Sequence, residues 1–308
     1  MVNLVAAIMP LLHCLVKMAG ISPHAVEIEP GTVMNIWATP KNRTRNDKTS
    51  ARVKRAVVLV HGFAGSGIIT WLFQVLSLRK KYAVYVPDLL FFGGSSTTRP
   101  ERSPALHAEC LAKGLRKLGV ERCTVVGFSY GGIVAFKMAE MQPELVEVVV
   151  VSGSVAELSE SVSGDVLRRL GFSSLSEMLL PESVEGCKAL LRISMHKKLS
   201  FPNRLYKDFL EVMFVNTKEK AELLEALIVL DKDAKIPKLS RKIHLLWGEE
   251  DQIFKQELAQ HMKEVVGDNA TYESIKKGGH LVHLERPFFY NKCLNHFLAS
   301  LPPPHSSQ

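Results

Sequence analysis

The chain has 308 residues, of which 46% are hydrophobic and 23% charged, an ordinary balance that can fill a large core. The formal net charge is +8, but seven cations share one short window that holds a single acid and no aromatic residue. We therefore interpret this window as a solvated surface loop in preference to a nucleic-acid patch, and without aromatic residues it does not indicate a base-stacking platform. The seven cations are Lys41, Arg43, Arg45, Lys48, Arg52, Lys54 and Arg55.

Residues 1–22 are an apolar stretch that precedes the rest of the fold. Only His13 and Pro10 interrupt the apolar run Leu4–Leu15. A secretory signal would require a cation before the run, and none is present. The run is also too short to span a bilayer. We predict an amphipathic or core-docking helix, which could also make peripheral contact with a membrane.

The next segment alternates strands with helices. A β-hairpin is predicted first, with its strands at 24–29 and 32–38 and a Pro-Gly turn between them. Apolar runs then predict buried strands, and apolar spacings of three and four predict helices. The alternation predicts βαβ units and a parallel sheet. The strands are predicted at 56–60, 82–87, 123–126 and 146–151, and the helices at 69–79, 103–119 and 133–141.

Residues 154–235 interrupt this alternation. They contain no convincing strand, and we predict a helical cap there with helices at 165–170, 185–194, 202–215 and 218–229. Strands resume at 242–248 and 271–275, each followed by a helix, at 256–265 and 287–298, and residues 301–308 are predicted to be disordered. The expected fold is therefore α/β, a mostly parallel eight-stranded sheet with helices on both faces, built from residues 23–153 and 236–300.

The run Gly127-Phe128-Ser129-Tyr130-Gly131-Gly132 lies between a predicted strand and a predicted helix. Gly-x-Ser-x-Gly in that context is typical of a nucleophile elbow, in which a sharp turn exposes the serine at a helix N-terminus. Residues two before and two after the serine crowd each other, so both must be small. Ser129 is therefore the predicted nucleophile.

A serine hydroxyl needs a base, usually a histidine that a carboxylate orients. The chain order expected is Ser, acid, His. The loop after strand 242–248 offers Glu249, Glu250 and Asp251, of which we favour Asp251. His280 follows two glycines after the last strand and is the predicted base, with His283 as its competitor.

Two backbone donors should stabilise the oxyanion. Tyr130, directly after the nucleophile, supplies one N–H, and Phe63 in the Gly-rich loop after strand 56–60 supplies the other. His61 is predicted to brace this loop. The loop lacks the Lys-Ser/Thr of a phosphate-binding loop, and we predict no cofactor.

The five cysteines are odd in number, widely spaced and without a Cys-x-x-Cys pair. This pattern predicts neither a disulfide framework nor a zinc site, so no metal is expected. A reducing compartment, and hence a cytoplasmic location, fits best. The cysteines are Cys14, Cys110, Cys123, Cys187 and Cys293.

Five motifs in this order resemble the α/β-hydrolase fold. They are His61-Gly62-Phe63, Asp88 with Gly93-Gly94-Ser95, the elbow run, Gly248-x-x-Asp251, and Gly279-His280 with Glu285-x-Pro287. The run 86–93 is similar to a branch of plant hydrolases that is itself likened to carbon–carbon bond (meta-cleavage product) hydrolases and monoacylglycerol lipases. The carbon–carbon hydrolases usually carry Trp where Leu281 stands and more glycine than Gly62-Phe63-Ala64 offers. Epoxide hydrolases of this fold use Asp at the elbow, which Ser129 does not match.

These observations predict a serine hydrolase for small or medium apolar carboxylic esters. Carbon–carbon bond hydrolysis and a small-ligand receptor on a hydrolase scaffold are the alternatives. The sequence does not specify an oligomeric state or the natural ester. The predicted pocket residues are Phe91 and Phe92, with Met178, Met195 and Met213 from the cap.

Overall fold

The computed structural model describes residues 2–39, 54–237 and 240–303. Most of the basic window and the last five residues of the predicted tail lie outside these ranges, and Lys54 and Arg55 lie inside them. The described strands are β1 (Ser22–Glu29), β2 (Thr32–Ala38), β3 (Ala56–Val60), β4 (Ala83–Pro87), β5 (Ser96–Thr97), β6 (Cys123–Phe128), β7 (Val146–Ser152), β8 (Leu158–Ser159), β9 (Ile228–Val229), β10 (Lys242–Gly248) and β11 (Ala270–Ile275).

Twelve α-helices and a 3₁₀ turn (Gly267–Asn269) are described alongside these strands. The helices are α1 (Leu4–Met18), α2 (Gly67–Leu78), α3 (Pro104–Lys117), α4 (Tyr130–Met141), α5 (Glu160–Leu170), α6 (Leu175–Leu179), α7 (Val184–Ser194), α8 (Asn203–Met213), α9 (Thr217–Glu225), α10 (Gln256–Val266), α11 (Val282–Glu285) and α12 (Pro287–Ser300).

The main sheet has the strand order β1-β2-β4-β3-β6-β7-β10-β11, and the short β5 pairs with β2. From β4 onward along this order, neighbouring strands pair in parallel. At the other end, β1 pairs antiparallel with β2, and β2 pairs antiparallel with β4. The prediction of a mostly parallel sheet with an opening hairpin is therefore confirmed. The strands follow from continuous apolar runs, since a sheet covered on both faces buries every side chain.

Helices cover both faces of the sheet, and alternate residues of β3 show the division. Val58 and Val60 pack in the core that contains α3, α4 and α10, whereas Val57 and Leu59 pack in the core that contains α2 and α12. This alternation is the period-two geometry of a strand. The carboxyl ends of β3, β6, β7 and β10 meet at one edge, where the loops carrying the predicted site residues converge.

Residues 154–235 fold mainly as helices α5 to α9 between β7 and β10. Serine N-caps begin three of them, because the Ser159, Ser174 and Ser183 hydroxyls accept from N–H groups one turn later. The expectation of no strand here was wrong, since β8 and β9 form a parallel pair inside this segment. Two-residue strands are too short to show a period of two in the sequence.

Candidate active site

Ser129 lies in the turn between β6 and α4 with φ of 52° and ψ of −123°, a conformation that is rare for a residue with a side chain. Two hydrogen bonds hold it there. The Ser129 N–H donates to the Ser152 carbonyl at 2.9 Å, and the Ser129 carbonyl accepts from the Gly132 N–H at 2.8 Å. Strain of this kind persists only where the surroundings impose it, and it is concentrated at functional sites.

The glycines of the elbow permit a close packing of main chain. A Cβ on Gly127 would lie 2.4 Å from the Gly131 carbonyl oxygen, and a Cβ on Gly131 would lie 2.3 Å from the Val60 oxygen. A Cβ on Gly132 would meet the Ser154 side chain at 2.5 Å. The small residues are therefore required because the start of α4 passes directly over β6 and the end of β3.

Replacing Gly127 with Ala is expected to destabilise the protein by several kcal/mol, since the clash is with backbone atoms that cannot rotate away. Gly164 in α5 is the matched control, because an added Cβ there meets nothing within 4 Å. Gly164→Ala should instead stabilise the protein by up to about 1 kcal/mol through helix propensity. Urea unfolding of both variants measures the difference, and equal stabilities would contradict the steric account.

His280 and Asp251 form a buried pair. His280 Nδ1 lies 2.9 Å from Asp251 Oδ2, and the two residues are about 5% and 4% exposed. The other carboxylate oxygen, Oδ1, accepts from the N–H groups of Ile253 and Phe254, each at 2.9 Å. Because the carboxylate accepts at Oδ2, it places a proton on Nδ1 and leaves Nε2 of His280 free to accept one.

The structure separates this pair from the other candidates that the sequence left open. Glu249 accepts from the Ser274 hydroxyl at 2.8 Å, and Glu250 is exposed. His283 is fully buried against the rings of Phe128 and Trp71, and burial lowers its pKa to about 3. His283 is therefore a neutral packing residue, and the carboxylate facing His280 belongs to Asp251.

Two residues that support His280 were not assigned a role from the sequence. Gly153, with φ of 53° at the end of β7, passes so close that a Cβ would lie 2.8 Å from His280 Nδ1. The buried Glu285 accepts from the Gly279 N–H at 2.8 Å and from the backbone of His196 and Lys197. Glu285 thus joins the His280 loop to the segment after α7. The Glu-x-Pro motif was a signal for it.

Ser129 and His280 line one cavity of about 450 Å³, which also has Phe63 and Tyr130 in its wall. The Tyr130 N–H belongs to the first turn of α4, which has no intrahelical acceptor. His61 fixes the loop of Phe63, because its Nδ1–H donates to the Gly62 carbonyl at 2.7 Å and its Nε2 accepts from the Leu89 N–H at 2.9 Å. Burial lowers the pKa of His61, so the neutral ring can serve in both bonds.

Helices α5 to α9 supply most of the opposite wall. Met178 and Met195 lie in that wall, together with apolar residues such as Leu190 and Phe209. No Asp, Glu, Lys or Arg occurs among the described residues that line the cavity. The cavity is therefore mainly apolar, and its polar lining consists of neutral hydroxyl groups such as those of Ser163 and Ser194 together with Ser129 and His280.

Three predicted pocket residues lie outside the cavity wall, which corrects that expectation. The Phe92 ring packs edge-on behind Phe63 at 5.3 Å. Phe91, with φ of 71°, places its ring under the Arg102 guanidinium at 4.6 Å. Met213 ends α8, where its carbonyl accepts from the Lys220 ammonium at 3.1 Å.

Among the described residues, no group of three or more His, Cys, Asp or Glu side chains could hold a metal ion. The five cysteines are free thiols. The described helices are all too short or too polar to cross a bilayer. The groups described at the Ser129 end of the cavity are a hydroxyl, an imidazole, a carboxylate and backbone N–H groups.

The model of the alpha/beta hydrolase fold family matches residues 55–287, and the chain therefore belongs to that family. It is an enzyme of the α/β-hydrolase class, with curated relatives that are hydrolases. Epoxide hydrolase 3 of Xenopus tropicalis is 25% identical over 267 residues, which cover 79% of this chain and 71% of that protein.

Solved structures share the fold at lower identity. A bacterial membrane phospholipase A superposes with a TM-score of 0.78 at 21% identity, covering 96% of this chain and 91% of the other. The 2-hydroxy-6-oxo-6-phenylhexa-2,4-dienoate hydrolase of Rhodococcus superposes with a TM-score of 0.73 at 19% identity, covering 91% and 99%. Both likenesses support the hydrolase fold.

Proposed function

We propose that the protein is a serine hydrolase that cleaves neutral, apolar carboxylic esters through an acyl-enzyme. The observation that carries this proposal is the shared cavity, whose wall contains both a strained Ser129 and a histidine oriented by a buried carboxylate. The membership in a hydrolase family supports it. Residues 154–235 act in this proposal as the cap that encloses the substrate.

In the proposed reaction, Nε2 of His280 takes the Ser129 proton as Oγ attacks the ester carbonyl. Asp251 stabilises the imidazolium that forms. The N–H groups of Tyr130 and Phe63 stabilise the oxyanion, and His280 then protonates the departing alkoxide. Water, activated by the same imidazole, attacks the acyl-enzyme, releases the acid and restores the Ser129 hydroxyl.

The cavity supports an apolar acyl or alcohol group as the specificity element. Its volume lies within the ~300–1,000 Å³ range of small-molecule sites, and its wall offers no cation to pair with a charged substrate. A dienoate, the substrate class of the Rhodococcus hydrolase, carries a carboxylate. Leu281 also stands where the resemblance to carbon–carbon hydrolases leads us to expect Trp. Both points favour ester hydrolysis over the meta-cleavage alternative.

A series of p-nitrophenyl esters tests this substrate class. We expect kcat/KM to rise from acetate to butyrate or hexanoate, because burying each added methylene group contributes about 0.8 kcal/mol of binding free energy. The matched control is the hemisuccinate, which is close to butyrate in length but carries a carboxylate. It should be hydrolysed at least about a hundredfold less efficiently, since an unpaired buried charge costs several kcal/mol.

The same assay separates the alternatives. Equal turnover of butyrate and hemisuccinate would overturn the apolar specificity. Turnover of a dienoate that exceeds that of every ester would favour carbon–carbon cleavage. No turnover of any ester, together with a ligand-dependent rise in Tm, would favour the receptor. Membership in the plant branch is also a proposal, and it is supported by the motif resemblance of residues 86–93 alone.

A further inference from the structure

Helix α1 presents an apolar face to solvent. Its exposed apolar residues recur at intervals of four and three, and this spacing places them in one stripe along the helix. The stripe consists of Leu4, Ile8, Leu11, Leu15 and Met18, which are 43–80% exposed, and we call it the α1 stripe. Single exposed apolar residues are ordinary, but a contiguous row of five on one helix marks an interaction surface.

The helix that carries the stripe is firmly attached. The Asn3 side chain caps it by accepting from the Ala6 N–H at 2.9 Å. The Leu4 N–H donates to Asp208 of α8 at 2.7 Å, and the Asn3 side chain also donates to Glu211 at 2.9 Å. On the opposite side of α1, Val16 is fully buried in the core. The α1 stripe is therefore exposed by the fold.

An exposed basic segment, residues 196–204, lies beside the start of α1. It carries the cations Lys197, Lys198 and Arg204 and no carboxylate, and the Arg204 guanidinium donates to the Val2 carbonyl at 2.6 Å. Leu199 and Phe201 of this segment are 45% and 40% exposed, and both also line the cavity.

The cavity wall reaches the protein surface beside the basic segment and α1, because the exposed Leu199 and Phe201 belong to that wall. Val5, one residue from the start of the α1 stripe, lines the cavity as well. The cavity wall and the outer apolar surface are therefore continuous at Val5, Leu199 and Phe201.

We propose that the α1 stripe and the basic segment form a docking face for an anionic phospholipid bilayer, from which the cavity takes its ester. The second half of this proposal rests on the proposed function. A helix of 15 residues is about 22 Å long, which suits a helix lying in the interfacial plane. Apolar residues would enter the acyl boundary while Lys197 and Lys198 meet anionic headgroups.

Charge favours a bilayer over a second copy of this chain as the occupant. A two-fold interface pairs one patch with itself, and neither the α1 stripe nor the basic segment of a second copy offers a carboxylate to the Lys197 and Lys198 cations. The carboxylates beside α1, on Asp208 and Glu211, already accept from Leu4 and Asn3, and Asp208 also lies 3.9 Å from the Arg204 guanidinium, so the complement still needed is one for Lys197 and Lys198. Anionic headgroups supply the missing complement.

Flotation with phosphatidylcholine vesicles, with and without phosphatidylserine, tests the docking face independently of catalysis. We expect binding to phosphatidylserine vesicles that weakens with added salt. Ile8→Ser with Leu11→Ser, and separately Lys197→Glu with Lys198→Glu, should each weaken binding about tenfold or more. Val265→Ser is the matched control, since Val265 is 53% exposed on α10, which packs on the other face of the sheet from α1.

Binding of the wild type that neither variant weakens would overturn the proposal, as would no binding to either vesicle. A dimer that Ile8→Ser with Leu11→Ser dissociates, seen by sedimentation without vesicles, would assign the face to a second copy and also overturn it. Turnover provides the separate readout for the site. The Ile8 and Leu11 variant should hydrolyse dissolved p-nitrophenyl butyrate at the wild-type rate but a vesicle-embedded long-chain ester about tenfold more slowly.

If the wild type does not hydrolyse any dissolved ester, the proposed function is rejected, while vesicle binding is still judged by flotation. Equal rates of the wild type and the Ile8 and Leu11 variant on the embedded ester would reject delivery from the bilayer. The two proposals can therefore fail separately.

Discussion

Replacing Ser129 with Ala is expected to lower kcat for p-nitrophenyl butyrate by about 10⁴–10⁶-fold, with little change in KM. The substitution removes the atom that forms the acyl-enzyme, whereas the oxyanion donors and the cavity wall remain. Folding should be unaffected, because the Ser129 backbone supplies the hydrogen bonds of the turn and alanine can keep them. Steady-state kinetics and a fluorophosphonate probe read by intact mass measure the effect.

Two other serines of the same cavity are the controls. Ser163 and Ser194 line it as Ser129 does, and both are buried. Neither lies at an elbow, so Ser163→Ala and Ser194→Ala should keep the probe label and most of the activity. A label that survives Ser129→Ala but disappears with one of these substitutions would move the nucleophile to that serine.

The features that the sequence predicted well depend on local rules. Strands β3 and β10 match the predicted residues 56–60 and 242–248 because each is a continuous apolar run with clear ends. The elbow could be recognised because its requirement is steric and acts over five residues. Glycine is needed at positions 127 and 131 because α4 turns back so tightly over β6 that a Cβ at either position would clash with backbone atoms.

The cavity wall could not be predicted in the same way. Phe91 and Phe92 are apolar and adjacent to a functional loop, yet their rings point to Arg102 and Phe63 because of the positive φ of Phe91 and the packing behind it. Side-chain direction in a loop depends on the loop's backbone angles, for which the composition gives no rule. The roles of Gly153 and Glu285 likewise depend on contacts between segments distant in the chain.

The acid was left open among Glu249, Glu250 and Asp251 for a similar reason. Spacing places all three on one loop, but only the turn decides which side chain points inward. In the structure the Trp247 indole N–H donates to the Phe254 carbonyl at 2.8 Å, and this bond holds the two ends of the loop together. The Asp251 carboxylate then accepts from the N–H groups of Ile253 and Phe254, which a longer Glu side chain one or two residues earlier does not do.

Asp251→Asn is therefore expected to lower kcat by about 10⁴-fold while the protein stays folded. The two N–H groups of Ile253 and Phe254 hold the Oδ1 position, so the amide oxygen of the substituted side chain should remain there. The amide NH₂ group then faces His280 Nδ1, where the carboxylate stood at 2.9 Å. A donor at that position holds the proton on Nε2, and the imidazole can no longer accept the Ser129 proton. Steady-state kinetics and thermal unfolding measure the two expectations.

Glu250→Gln is the matched control, because it makes the same chemical change one residue earlier on an exposed side chain. Its kcat should stay within about twofold of the wild type, since no contact with His280 is altered. An unchanged rate in Asp251→Asn, or an equal loss in Glu250→Gln, would contradict the tautomer argument. Slow labelling of Asp251→Asn by the fluorophosphonate, with Ser129 still the modified residue, would show that the nucleophile is present and that its base has been disabled.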